Sequence, residues 1–169
     1  MPLKEALFLG FCAVLIFVSR AALRLHLRIS GHAMLLTLFF LLLARGCAAH
    51  RLAATFAGLL AGLLAMAFGM GQAGLLLPLK FVLPALVIDL MALLLPGLFR
   101  SYLLCALTAA LAAGTKLADT YILDRLAGMD ATVALQHGGL EALSAMAFGV
   151  AGSLMVPPVI HKLKAHGYA

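Results

Sequence analysis

The chain has no tryptophan, only three cysteines and only six acidic residues in 169 positions, and its charged residues make up just 11% of the whole. With so few charges it cannot be a disordered segment, which stays unfolded by combining high charge with low apolar content. Cys12, Cys47 and Cys105 are odd in number, widely spaced and set in apolar sequence. That pattern supports neither a disulfide framework nor a zinc site, and the three read as packing residues. Enzyme signatures are also missing: there is no Gly-x-Ser-x-Gly elbow, no His-Glu-x-x-His helix and no Gly-Lys-Ser/Thr phosphate loop. The expectation is a protein that is not an enzyme and that carries no cofactor.

What is present is apolar. Hydrophobic residues make up 65% of the chain and the mean hydropathy is +1.15, against roughly 45 to 50% apolar and about 25% charged in a soluble domain. The fold class expected is all-α, a polytopic membrane protein with one bundle of helices. The net charge is +6 and the sequence pI is near 9.7. The basic residues stand at the ends of apolar runs, where long side chains reach lipid headgroups, and not on an aromatic-laced surface that would read nucleic acid. The expected partner is a lipid bilayer, with no nucleic acid.

A membrane-crossing helix takes about 20 mainly apolar residues. Six candidates follow, at residues 7–23, 32–49, 52–68, 77–95, 101–118 and 141–160, in a single transmembrane domain spanning 1–169. Residues 1–22 also imitate a signal peptide, with a basic start, an apolar stretch and small residues at Ala21 and Ala22. Five further spans favour reading it as a helix. Residues 52–79 contain no charge, enough for a helix and then a turn marked by Gly69, Gly71 and Gly74. Pro96-Gly97 stops the fourth helix. The segment between Asp119 and Glu141 is the only markedly polar one and reads as a loop. With both termini cytoplasmic, the inner segments hold Lys4, Arg45, Arg51, Arg100, Lys162 and Lys164, and the outer ones Arg20, Arg24, Arg28, Lys116 and Arg125. The first, third and fifth loops then face outward.

An ionisable group at membrane depth costs a few kcal/mol on insertion scales, so each needs a partner or a wet cavity. Lys80 and Asp89 share the fourth helix, nine positions apart, about 13 Å of rise. They cannot pair along it. Lys80, toward the outer end, either presents its ammonium to an anionic or polar ligand or snorkels to the interface. Asp89, near the middle, has no such escape and serves coupling, packing or binding. Pro84 between them loosens the helix. Arg20, Arg24 and Arg28 form a basic stripe that either steers anions or collars headgroups. His32, in the run Ser30-Gly31-His32, reaches a cavity, binds a metal or caps the interface. His137, after Gln136, approaches the same outer mouth from the fifth loop. The run from Gly69 to Gly74 fits G-x-G-x-x-G literally, but a membrane-length helix precedes it where a nucleotide fold needs a strand. It reads as an irregular turn in which Gln72 lines a cavity. Small residues at Ala57, Ala61 and Ala65, with Gly58 and Gly62, permit close helix approach, and Ala6 and Gly10 repeat the spacing on the first helix.

Taken together, the size, the six spans, the glycine-bearing third loop and the Lys80/Asp89 helix resemble the substrate-binding membrane subunits, or S-components, of energy-coupling factor transporters. Ser30-Gly31-His32 and Phe68-Gly69-Met70-Gly71 are similar to runs in the cobalt and nickel members of that family. Those members begin Met-His, however, and this chain begins Met1-Pro2. A fixed ammonium at Lys80 repels a divalent metal, which favours a vitamin-like or other micronutrient solute over a metal ion. The candidate binding residues are Lys80, Asp89, His32, Gln72, Arg28 and His137, with no metal ligands, and the resemblance implies that loops one, three and five close over the solute. It also implies a transmembrane coupling subunit that meets Ala6 and Gly10, two ATPase subunits, and a bacterial inner-membrane location. A cobalt or nickel binder and a non-transport membrane scaffold are the alternatives.

Overall fold

The computed structural model describes residues 3–26, 31–69 and 77–165. Its elements are α1 (Leu3–His26), α2 (Ala33–Cys47), α3 (Ala53–Ala67), α4 (Leu79–Leu94), a 3-10 turn at Leu98–Arg100, α5 (Tyr102–Leu126), α6 (Ala131–Ser153) and α7 (Val156–Ala165). Leu and Ala dominate these runs and are among the strongest helix formers. The all-α class is observed: the described residues contain no strand.

Three segments are long and apolar enough to cross a membrane: Leu3–Ala22, Tyr102–Leu126 and Ala131–Leu163. The stretches expected at 32–49 and 52–68 shorten to 15 residues each in α2 and α3. That is about 22 Å of rise, against a hydrocarbon core of about 30 Å.

The polar segment after Asp119 departs most from expectation, because it is helical nearly throughout. Helix α5 runs on to Leu126 and α6 begins at Ala131, leaving only a tight turn between them. Gly128 supplies the positive φ, 85°, that a side chain would resist. The Arg125 guanidinium donates to the Met129 carbonyl at 2.9 Å. Asp130 caps α6, its carboxylate accepting from the Ala131 N–H at 2.7 Å. At the other end of α6 the helix breaks at Leu154-Met155. Pro157 has no N–H for the Ser153 carbonyl, and it is tolerated only because it falls in the first turn of α7.

Helix α2 touches every other long helix, and the rest are arranged about it in the spatial order α1, α3, α4, α5, α6. Its side chains Leu38, Leu41 and Leu42 are fully buried. The most extensive single contact is the antiparallel pair α5 and α6. On the outside, Leu7 and Phe11 of α1, Leu90 of α4, Leu103 of α5 and Leu140 and Leu143 of α6 are more than half exposed. A bundle that presents large apolar side chains outward on nearly every helix is suited to lipid rather than to water.

The small-residue stripe of α3 is spent inside the chain. Ala57, Ala61 and Ala65 are buried, and Gly58 and Gly62 face α4. A Cβ on Gly58 would meet the Phe81 carbonyl oxygen at 2.8 Å, and one on Gly62 would meet the Pro78 Cα at 2.7 Å. Neither neighbour is a flexible side-chain tip, so the two backbones are in near contact. Gly62→Val is expected to force α3 and α4 apart and to lower stability by about 1 to 3 kcal/mol, the usual range for overpacking. A lower unfolding midpoint of the purified variant in detergent would show this, whereas Gly10→Val, where a Cβ meets nothing within 4 Å, should leave the midpoint nearly unchanged.

Candidate functional site

Ionisable side chains gather at the two ends of the bundle. At the end formed by the close of α2, the start of α3 and the later part of α4, Asp89 is the organising group. Helix α3 opens without help from its own sequence, since Leu52 at the N-cap offers no side-chain acceptor and the first turn holds no acidic residue. Its free N–H groups would be costly to leave unpaired in an apolar surrounding. Asp89 supplies the cap from the neighbouring helix. Its Oδ2 accepts from the Thr55 N–H at 2.8 Å and from the Thr55 hydroxyl at 2.7 Å, and its Oδ1 accepts from the Ala54 N–H at 3.2 Å.

Arg45, in the last turn of α2, sets its Nε 3.2 Å from Asp89 Oδ1, with the two side chains 14% and 1% exposed. The carboxylate thus lies at the positive end of the α3 dipole, and the guanidinium at the negative end of the α2 dipole. Sequence reasoning took Arg45 for a snorkelling residue. A topological signal was available, because antiparallel spans put the close of the second helix beside the inner half of the fourth. On the same end, Glu5 of α1 accepts from the Ala49 N–H at 3.4 Å.

Lys80 lies at the opposite end, and the structure does not bring it together with Asp89. It is half-buried at the start of α4, where the charges of Lys116, Arg20, Asp119 and Glu141 act on it. Arg20 of α1 lays its guanidinium over the ring of Phe81, 4.5 Å from the centroid. Across α5 and α6 the polar residues form a ladder. Lys116 Nζ pairs with Glu141 Oε2 at 3.1 Å, and the Thr120 hydroxyl donates to the same oxygen at 3.0 Å. Two turns beyond Lys116, Asp124 Oδ2 lies 2.8 Å from His137 Nδ1. Lys116, Thr120 and Asp124 recur every four residues on α5, and His137 and Glu141 do so on α6, so one face of each helix carries the set. Lys80 and Asp119 line a cleft with Leu79, Ile122 and Leu123 that has room for about one water molecule.

His137 was expected on a loop and is instead a helical residue, 52% exposed on its side chain. His32 is half-buried where α2 begins. It follows Gly31, which is pressed so closely on α6 that a Cβ would meet Ser144 Oγ at 2.6 Å. That seat is one turn from Glu141, so His32 belongs to the Lys80 end of the bundle. Arg28 and Gln72 lie outside the described residues, as do Ser30, Gly71 and Gly74. Gly69, within them, has the φ of 65° that the expected turn requires. On α1, Ala6 is exposed and Gly10 half-buried. Among the described residues no three His, Cys, Asp or Glu side chains converge to hold a metal ion. Thr120 and Asp124 were missed in sequence because their segment read as a loop, and Lys116 and Glu141, on expected helices, because a pairing across helices leaves no local signal. The signals that could have found the first two are the four-residue spacings and the Asp130 cap.

Replacing Asp89 by Leu strands the Arg45 guanidinium and uncaps α3. Breaking a buried pair from one side costs about 3 to 5 kcal/mol, so Asp89→Leu should unfold at markedly lower denaturant or temperature than the parent chain. Adding Arg45→Met to it should restore part of the loss, and an Asp89→Leu variant as stable as the parent would show the clamp to be idle. The chain matches no protein-family model, no curated protein and no solved structure.

Proposed function

We propose that the chain is a six-span protein of the bacterial inner membrane that captures a small vitamin-like or other micronutrient solute at the Lys80 end of its bundle. In this reading it serves as the substrate-binding subunit of an energy-coupling factor importer, with a transmembrane coupling subunit and two ATPase subunits as partners. The observation that carries the reading is the gathering of Lys80, Arg20, Lys116, Asp119 and Glu141 from four helices at one end of an otherwise apolar bundle. Ionisable groups at membrane depth are expensive and mark solute or ion pathways.

The outward apolar side chains and the three membrane-length segments support insertion in a bilayer. Helix α2 is sheathed by the others, so its 15 residues do not have to match the full lipid thickness alone. Asp89 belongs to the scaffold in this account, because each of its oxygens already has a partner. Lys80, His32 and His137 stand at the binding end in this account, and Arg28 and Gln72 lie outside the described residues. Orientation with both termini cytoplasmic places that end outside the cell, where an importer meets its solute.

The test is Lys80→Met, which keeps the length of the stem and removes the ammonium. The variant should insert and fold normally while losing most of its solute uptake, and native mass spectrometry of the gently purified parent chain should detect a copurified small molecule that the variant lacks. Uptake unchanged by Lys80→Met would count against the reading.

A further inference from the structure

The geometry points to Asp119 as the acceptor in this end of the bundle that reads a hydrogen-bond donor on the solute, and so to a small carboxylate bearing an O–H or N–H group as the class of ligand. The inference rests on the proposed function and names the chemistry of that same site.

Asp119 is the most deeply buried of the charged side chains gathered here. It is 4% exposed, and its Oδ1 is buried with no hydrogen-bond partner among the described residues. A buried carboxylate oxygen left unpaired costs more than it returns, and such groups in a native fold call for a ligand or a function. The other acidic member of the group, Glu141, takes the Lys116 ammonium and the Thr120 hydroxyl on one oxygen. Asp119 lines the cleft that Lys80 also lines, on the α5 face one residue from Thr120. Lys80 contributes more than its ammonium at this point. Pro84 has no N–H, so the Lys80 carbonyl is relieved of its usual helical donor.

The charges decide the polarity of the ligand. Lys116 and Glu141 offset each other, and Arg20 is held against the Phe81 ring. Lys80, Arg20 and Asp119 then leave the group one positive charge in excess. A solute that brings a carboxylate to Lys80 and a donor to Asp119 Oδ1 balances the excess and pairs the orphaned oxygen in one step. A plain carboxylate meets only the first need, and a divalent cation is repelled by the net positive charge of the group. Since the cleft now has room for about one water molecule, entry of such a solute displaces the side chains of Ile122 and Leu123 that wall it.

The test uses the full chain in lipid nanodiscs and two matched pairs of probes, lactate with propionate and 4-hydroxybutyrate with butyrate. Each pair differs by one hydroxyl, and the two pairs set it at different reach from the carboxylate. Apparent Kd is read from the ligand-dependent rise in unfolding temperature. At least one hydroxy acid should bind about tenfold or more tighter than its partner, as expected for a hydrogen bond to a charged group. Asp119→Leu should abolish that preference while retaining the weaker binding of the plain acid. Asp119→Asn, closest to the parent in size, should reduce it and serves if the Leu variant does not fold. Equal binding of both acids in each pair, lost in Lys80→Met, would overturn the role of Asp119 and leave the solute site standing. Binding of neither acid in either pair would overturn the ligand class, with the copurified molecule left to judge the site itself.

Discussion

The carboxylate of Asp89 holds three helices to one another at a place where none of them could finish itself. Helix α3 lacks a capping residue of its own, α2 ends on a guanidinium that is mostly buried, and α4 carries an acid that no water reaches. Each would be a liability alone in an apolar medium. Joined, they satisfy two backbone donors, a hydroxyl and a charge pair at one point. The position of α4, and therefore of Lys80 at its other end, follows from that junction and from the near contact of Gly58 and Gly62 with the same helix.

Helix α4 thus connects two chemically different ends. Between Asp89 and Lys80 it is fully buried at Ala85 and Ile88 and interrupted by Pro84. One end is held by the Arg45–Asp89 ion pair and by the bonds from Asp89 to the start of α3. At the other end the pairing is incomplete: the α5 and α6 ladder neutralises Lys116 and engages Asp124, but Asp119 keeps an unpaired oxygen.

Much of the helical architecture could be read directly from residue order. Apolar runs located α1 through α4 to within a few residues, Pro96-Gly97 marked the end of α4, and the small residues of α3 announced a close helix contact. What escaped were pairings across helices. Hydropathy averages neighbours in sequence, so the stretch from Asp119 to Glu141 looked like a solvated loop, although Thr120 and Asp124, with Lys116 before them, and His137 and Glu141 stand at four-residue spacing on facing stripes of two long helices. Arg45 and Asp89 were hidden for a related reason: they are 44 positions apart, and only the antiparallel course of the chain puts them side by side. The site residues divide accordingly. Lys80 could be picked out because an isolated ammonium in an apolar run is conspicuous, whereas Asp119 became distinctive only once its missing partner was visible.

The junction at Asp89 is most directly tested by amide hydrogen exchange of the chain in nanodiscs, resolved at Ala54 and Thr55. First-turn amides of a helix ordinarily exchange fast because they lack intrahelical acceptors. The account predicts slow exchange at both positions in the parent chain and a selective rise of about tenfold or more in Asp89→Asn, in keeping with the loss of hydrogen bonds to a charged acceptor. The first-turn amides of α5 should keep their rate. Fast exchange at Ala54 and Thr55 in the parent chain, or rates indifferent to Asp89, would contradict it.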